Sequence, residues 1–291
     1  LWDTVATRNA RLLRQGIKSL PNKLDSASWL NYIRCHDDIG LGFDDHDISA
    51  AGYDPKSHRR FLVDYFTGNF GESRSRGFPF GFNEKTGDVR ISGTLASLVG
   101  LETAIEQDDG DAIDQAIKQI LLLHSMIMSY GGIPLLYYGD EIGTSNDCSY
   151  LDDDTKAADS RWAHRPVIDW QKAEQRMTHG TPEQRIFDGL KHMIAVRKAI
   201  PAFADFNNRE LIDIDNPYLF AFLRSNPDVP SEVVLVVANF DSEPQHLDLA
   251  ELGNRGEFQY GQLKDLHSGE YPAMFKDQLV VPPFHFYWLS I

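Results

Sequence analysis

The residues best suited to chemistry are a histidine and two aspartates that follow a short apolar run. His36-Asp37-Asp38 comes directly after residues 29–34 (WLNYIR), a pattern that predicts a buried strand. Adjacent carboxylates and an imidazole at a strand end can hydrogen-bond sugar hydroxyls and stabilise the positive charge of an oxocarbenium-like transition state. The alternative is a plain turn in which an aspartate caps a helix N-terminus.

A second candidate lies in residues 161–166 (RWAHRP), inside a long polar segment. Arg161 offers rigid guanidinium donors for hydroxyl groups or for a buried carboxylate. It could instead form a surface ion pair with nearby acidic residues such as Asp159. The acidic run Asp152-Asp153-Asp154 lacks the spacing and the glycine of a calcium-binding loop, so a solvated loop is the better interpretation.

A third group lies between these two motifs. Arg90, in residues 87–93 (GDVRISG), and several phenylalanines could form a wall that contacts sugar rings, because aromatic faces stack on the apolar faces of pyranoses. The aromatics could equally form the core of this part of the chain. The pair Asp140-Glu141 is interpreted as structural, and Cys35 and Cys148 as buried thiols. Because no zinc spacing or phosphate-binding loop is present, we expect no metal and no cofactor.

The elements that position these residues alternate between strands and helices. Two predicted strands, each followed by a helix pattern, favour a parallel sheet built from βα units. Catalytic groups of α/β barrels lie at the C-terminal ends of such strands, but two βα units cannot close a barrel of eight strands. The predictions are a helix over 1–20, a strand over 29–34, a compact insertion over 39–104 with a helix near 55–67, a helix over 111–130 that starts at Asp111 and stops at Gly131-Gly132, a strand over 134–138, a structureless loop over 142–181 and a helix over 182–200 capped by Thr181.

The pattern changes after residue 203. Short apolar runs alternate with turns, and no helix pattern follows, which predicts a small antiparallel β domain. With 43 acidic and 28 basic residues, the 291-residue chain has a net charge of −15, so neither nucleic acid nor an anionic membrane is an expected partner. The two cysteines and the lack of a visible signal peptide predict a reducing, cytoplasmic location.

Four segments together resemble a known family. Residues 29–40 (WLNYIRCHDDIG), 87–93, 131–141 (GGIPLLYYGDE) and 159–166 (DSRWAHRP) are similar to amylosucrases and sucrose hydrolases, in glycoside hydrolase family 13 of the α-amylase superfamily. The resemblance implies an α/β fold: the C-terminal part of a (β/α)8 barrel with an inserted subdomain, followed by an antiparallel β-sandwich. The implied domains are 1–38 with 105–202 (last barrel units), 39–104 (insertion) and 203–291 (β domain).

The resemblance also implies a role for each candidate residue. Asp37 matches the carboxylate that stabilises the transition state of a retaining reaction on sucrose. His36 matches a substrate contact and Asp38 a residue on the acceptor and fructosyl side. Further substrate or acceptor contacts are implied at Arg90, Asn83 and Phe61. Arg161 matches an arginine that pairs with an aspartate at the pocket floor.

This chain departs from the family pattern at several positions, and each departure leads to an expectation. The family's nucleophile, its acid/base and the partner of Arg161 match no residue of this chain and would lie upstream of Leu1, so we expect the isolated chain to be inactive. Gly81 stands where amylosucrases carry a substrate-contacting Gln, which leaves open whether glucose passes to an α-1,4-glucan acceptor or to water. A non-catalytic carbohydrate-binding protein and another α-glucoside specificity also stay open.

Overall fold

The computed structural model describes residues 1–24, 26–84, 88–204, 207–252 and 263–291. They form two compact units. Unit 1 contains Leu1–Asn31, Leu122–Leu135 and Lys191–Ile291, and unit 2 contains Tyr32–Leu121 and Leu136–Leu190. The domain boundaries expected from the sequence stay a prediction.

Unit 1 begins with two short helices where the sequence predicted one. Helix α1 spans Trp2–Thr7 and α2 spans Arg11–Lys18. The helix breaks because Arg8 adopts a left-handed conformation with φ of 54°. The Oδ1 atom of Asn9 then accepts the backbone N–H of Arg11 at 2.9 Å, which starts the second helix.

The two predicted strands pair in parallel, as expected, but over a shorter length. Strand β1 (Leu30–Asn31) pairs with β4 (Ile133–Pro134), and the Leu135 N–H closes the ladder on the Asn31 carbonyl at 2.8 Å. Gly132, with φ of 86°, enables this pairing, because an added Cβ would clash with the Trp29 carbonyl oxygen. With two parallel strands among the described residues, the eight-stranded barrel stays a prediction.

The two long helices agree with the predicted ones to within a few residues. Helix α7 spans Gly110–Ser129 and α9 spans Pro182–Lys198, and each contributes residues to both units. Thr181 caps α9 as predicted, since its Oγ1 accepts the Gln184 N–H at 3.2 Å. The N-terminal acceptor of α7 is Asp109, which takes the Ala112 N–H at 3.1 Å, and not Asp111.

Unit 2 contains residues 39–104, for which the sequence predicts an insertion, and it contains the helix predicted near 55–67. Asp54 caps this helix by accepting the Ser57 N–H at 2.9 Å, and Pro55 occupies its first turn. The short strands β2 and β3 pair antiparallel, and Phe80 lies opposite Arg90. The elements are α3 (Asp45–Ala50), α4 (Pro55–Phe66), β2 (Phe78–Phe80), β3 (Arg90–Ser92), α5 (Leu95–Leu98) and α6 (Leu101–Glu106).

The prediction of a structureless loop over 142–181 is wrong. The segment forms short turns of 3-10 helix at Cys148–Asp152, Ser160–His164 and Gln175–Met177, and helix α8 at Trp170–Glu174. The aspartates of this segment, which favoured a loop in the sequence, cap these turns. Asp147, Asp159 and Asp169 each accept a backbone N–H two residues further on, at 2.9 to 3.0 Å.

The C-terminal part of unit 1 is antiparallel β structure, as predicted. Its two sheets have the strand orders β5-β6-β7-β12-β9 and β10-β11-β8. Side chains from both sheets share one buried core, among them Val237, Leu247, Leu279 and Leu289. The strands are β5 (Arg209–Leu211), β6 (Leu219–Ser225), β7 (Val233–Asn239), β8 (Gln245–Asp248), β9 (Lys264–Asp265), β10 (Met274–Phe275), β11 (Gln278–Val281) and β12 (Phe286–Ser290).

Candidate functional site

The segment His36-Asp37-Asp38 follows β1 in the chain and lies in unit 2. It is fastened to β3 by a two-bonded antiparallel bridge between Ile39 and Ile91, with N–H···O distances of 2.7 and 3.0 Å. In this register Asp38 lies opposite Ser92 and diagonally across from Arg90, and the side chains of Asp38 and Arg90 form an ion pair at 3.3 Å. The Asp38 side chain is only 7% exposed, so this pair fixes its carboxylate.

Asp37 presents its carboxylate to solvent beside three other polar side chains. Its Oδ2 lies 3.4 Å from His36 Nε2, and its Oδ1 lies 3.8 Å from Arg161 and 3.7 Å from Arg165. The Asp37 side chain is 54% exposed, so a ligand can reach it.

His164 holds the backbone around this carboxylate. Its Nδ1 accepts the Gly93 N–H at 3.0 Å, so the proton lies on Nε2, which donates to the His36 carbonyl at 3.0 Å. Arg165 Nε also donates to that carbonyl, at 2.6 Å. Burial lowers the pKa of His164 to about 4, so its ring is neutral at pH 7 and keeps this tautomer.

Arg161 has a carboxylate partner within the chain. Its Nε and one terminal nitrogen donate to both oxygens of Asp159 at 2.9 and 2.8 Å, and hydrogen bonds from Arg161 lower the pKa of Asp159. The guanidinium also stacks over the Phe80 ring at 4.6 Å. The pocket-floor aspartate implied by the resemblance is therefore not needed to satisfy Arg161, and that pairing stays a prediction.

A buried ion pair supports the site, as the structural interpretation of Asp140 predicted. Arg34 Nε donates to Asp140 Oδ1 at 2.8 Å, and both side chains are 2% exposed. The Arg34 guanidinium also lies over the Tyr137 ring at 4.7 Å and donates to the His164 carbonyl at 3.4 Å. This pair therefore connects the segment before His36 to the turn that carries His164.

The structure gives Phe61 and Asn83 contacts of other kinds. Phe61 packs on α4 against Tyr65 and Phe70, with ring centroids at 6.1 and 5.1 Å, as the alternative of an aromatic core predicted. Asn83 donates its backbone N–H to the Asp88 carbonyl at 2.9 Å in the connection between β2 and β3. A sugar contact by either residue stays a prediction.

Sequence reasoning did not assign roles to three residues that hold this site together: Arg34, His164 and Arg165. The last two lie in the RWAHRP segment, where only Arg161 was assigned a role. An arginine within a strand-like apolar run was the available signal for Arg34, because a charge there requires a buried partner.

Comparisons with known proteins agree with the resemblance at the level of the family. Residues 209–288 match the family described as Maltogenic Amylase, C-terminal domain. The "Trehalose synthase/amylase TreS" of Mycobacterium tuberculosis is 27% identical over 202 residues, which cover 62% of this chain and 33% of that protein. An "Alpha-amylase" of Streptomyces lividans is 28% identical over 158 residues, 49% of this chain and 16% of that protein. The chain thus spans about a third or less of the length of these curated relatives.

A solved structure supports the fold. The sucrose 6F-phosphate phosphorylase from Thermoanaerobacter thermosaccharolyticum superposes with a TM-score of 0.54 and 18% identity, over 82% of this chain and 41% of that one. The family match and the curated relatives support the α-amylase family, glycoside hydrolase family 13, and the solved structure supports the fold alone. They support amylosucrase no more than other members. No helix among the described residues has the length and apolar character to cross a membrane.

Proposed function

We propose that this chain forms the C-terminal part of a retaining α-glucosyl enzyme in which Asp37 stabilises the transition state. The observation that carries the proposal is the Asp37 carboxylate, which is exposed to solvent yet set on a backbone clamped by His164 and Arg165. A fixed, accessible negative charge lowers the energy of an oxocarbenium-like state at the sugar ring. The motifs around it resemble those of family 13 enzymes, which supports the proposal.

The other residues of the site support this carboxylate. The Asp38–Arg90 pair offers both an acceptor and a donor for sugar hydroxyls, since Arg90 is 60% exposed. The exposed imidazole of His36 offers a further hydrogen-bonding group beside Asp37. A double displacement requires two more carboxyl groups about 5 Å apart, a nucleophile and an acid/base. These belong to a longer reading frame in the proposal, and the 291-residue chain alone is expected to be inactive.

The proposed substrate is sucrose, with transfer of glucose to an α-1,4-glucan as the first reaction and hydrolysis as the second. The motifs over 29–40 and 87–93 support this choice. A different α-glucoside is the rival specificity, because the sequence relatives carry the names trehalose synthase/amylase and α-amylase. A non-catalytic carbohydrate-binding role is a further alternative. A cytoplasmic location belongs to the same proposal and rests on the two free cysteines.

The test compares the complete reading frame with its Asp37→Asn variant on sucrose, trehalose and starch. We expect fructose release from sucrose and a loss of at least about 100-fold in kcat for Asp37→Asn, the scale for removing one transition-state contact. Asp154→Asn, an exposed carboxylate elsewhere in unit 2, is the matched control and should keep full activity.

The products separate the alternatives. Glucan identifies the transferase and free glucose the hydrolase. Activity on trehalose or starch alone would overturn the choice of sucrose and leave the role of Asp37 standing. A fully active, folded Asp37→Asn variant would overturn that role. Sugar binding by a complete reading frame that turns over none of these substrates would favour the non-catalytic alternative.

A further inference from the structure

Three consecutive residues of the site bring together a sulfur, a nitrogen and an oxygen atom. Cys35 Sγ, a ring nitrogen of His36 and a carboxylate oxygen of Asp37 all lie within 4.8 Å of one another. We propose that Cys35, His36 and Asp37 bind a borderline-soft divalent cation of the zinc type, and that this ion blocks the sugar site.

The donor set selects the class of metal. Thiolate, imidazole and carboxylate are the usual ligands of zinc, whereas calcium and magnesium take oxygen ligands. A second group among the described residues, Asp44 with His46 and Asp47, contains no sulfur, and Asp44 Oδ1 already accepts the His46 N–H at 2.8 Å. The Cys35 group is therefore the one that fits a thiophilic ion.

The geometry of Asp37 leaves one oxygen for a metal. Its Oδ1 faces Arg161 and Arg165, whereas its Oδ2 lies 3.4 Å from His36 Nε2. Tetrahedral zinc with nitrogen and oxygen ligands at about 2.0 Å holds neighbouring ligand atoms about 3.3 Å apart. The His36 and Asp37 atoms already have that separation, so a bound ion would require little rearrangement of this pair.

A hydrogen bond directs the third ligand toward the other two. The backbone N–H of Asp37 points at Cys35 Sγ, with the nitrogen 3.5 Å from the sulfur. Such outer contacts orient metal ligands. Asp37 therefore has two roles in the proposed site. Its N–H orients the Cys35 sulfur, and its carboxylate is itself a ligand.

Exposure and charge set how the ion would bind. The side chains of His36 and Asp37 are 66% and 54% exposed, which gives an ion a path from solvent. The two arginines that face Asp37 Oδ1 repel a cation, so we expect reversible binding rather than a permanent structural site. Three protein ligands would leave the fourth position to water.

The consequence for the site rests on the proposed function. An ion held by Asp37 Oδ2 and His36 Nε2 would occupy the groups that face the sugar and neutralise the charge that stabilises the transition state. Zinc should therefore inhibit turnover, and a chelator should restore it.

The test uses cobalt(II) as a spectroscopic probe on the protein of the complete reading frame. Stoichiometric cobalt should produce a thiolate-to-metal charge-transfer band that zinc displaces. Cys35→Ser should lose the band and weaken zinc binding at least about tenfold, since even losing an outer-shell partner costs that much. Cys148→Ser is the matched control and should keep the band. Cys148 is exposed, and not buried as the sequence predicted, and it belongs to neither cluster of possible metal ligands among the described residues.

A second variant guards against misfolding of Cys35→Ser. The exposed side chain of His36 permits His36→Gln without loss of packing, and this variant should also bind zinc at least about tenfold more weakly. A band that survives in Cys35→Ser, or one that requires Cys148, would overturn the proposal, as would the absence of a band in the parent protein. Metal binding without any glycosidic turnover would instead leave the metal site standing and refute the proposed function.

Discussion

Replacing His164 with glutamine should remove a large part of the acid sensitivity of this protein. Burial holds the pKa of His164 at about 4, against an ordinary value of 6.5. Between these pH values the unfolded chain binds a proton at this residue and the folded chain does not. The contribution is therefore complete above pH 6.5 and is lost as the pH falls toward 4.

The magnitude follows from the two pKa values. One pKa unit corresponds to about 1.4 kcal/mol, so this residue alone should lower the free energy of unfolding by about 2 kcal/mol between pH 7 and pH 5. By pH 4 the loss approaches about 3 kcal/mol. Glutamine does not titrate, and it cannot reproduce both hydrogen bonds of the ring, to Gly93 and to His36.

The assay is urea unfolding of the parent and of His164→Gln at pH 7, 6 and 5. The variant should be the less stable protein at pH 7, and the difference should shrink by about 2 kcal/mol at pH 5. His267, whose pKa burial also lowers to about 4, provides an independent replicate: His267→Gln should flatten the same interval. If His164→Gln and the parent lose stability in parallel over this interval, the depressed pKa of His164 and its neutral state are wrong.

Two further substitutions test the packing. Asp140→Asn should cost about 3–5 kcal/mol in urea unfolding, because it leaves the Arg34 charge buried without its carboxylate, and a loss below about 1 kcal/mol would contradict that account. Gly132→Ala should lower the free energy of unfolding by about 3 kcal/mol or more, because of backbone strain and a clash with the Trp29 carbonyl. The control is Gly52→Ala, at a glycine with a similar φ but open space around it, which should lose about 1 kcal/mol. If Gly132→Ala and Gly52→Ala lose the same free energy of unfolding, the clash does not destabilise the protein and this account of Gly132 is wrong.

Several elements could be predicted because their signals are local. The helix over Gly110–Ser129 has an apolar face and ends at two glycines in left-handed conformations, and α4 begins with an aspartate followed by proline. The parallel pairing of β1 with β4 was expected from the order of strands and helices. The break at Arg8 was not, because a left-handed arginine leaves no mark in the apolar pattern.

The site was predictable in its residue types and less so in its connections. The sequence motifs identified Asp37, Asp38, Arg90 and Arg161 as candidate site residues. The structure pairs Asp38 with Arg90. The clamp by His164 depends on a bond between positions 71 residues apart in the chain, and periodicity does not reveal such a contact. The loop prediction over 142–181 was wrong because an aspartate is equally typical of a loop and of the cap of a short helix.

The register between the His36 segment and β3 explains why Asp37 in particular remains available to a ligand. The Ile39–Ile91 bridge, the Asp38–Arg90 pair and the His164 contact to Gly93 fasten the backbone at successive points. Asp38 is covered as a result, whereas the Asp37 side chain stays exposed. A charge that is held in place before the ligand arrives stabilises a transition state without the cost of reorganisation. The same exposure gives a thiophilic cation access to Asp37 Oδ2, so the proposed sugar chemistry and the proposed metal inhibition share one structural cause.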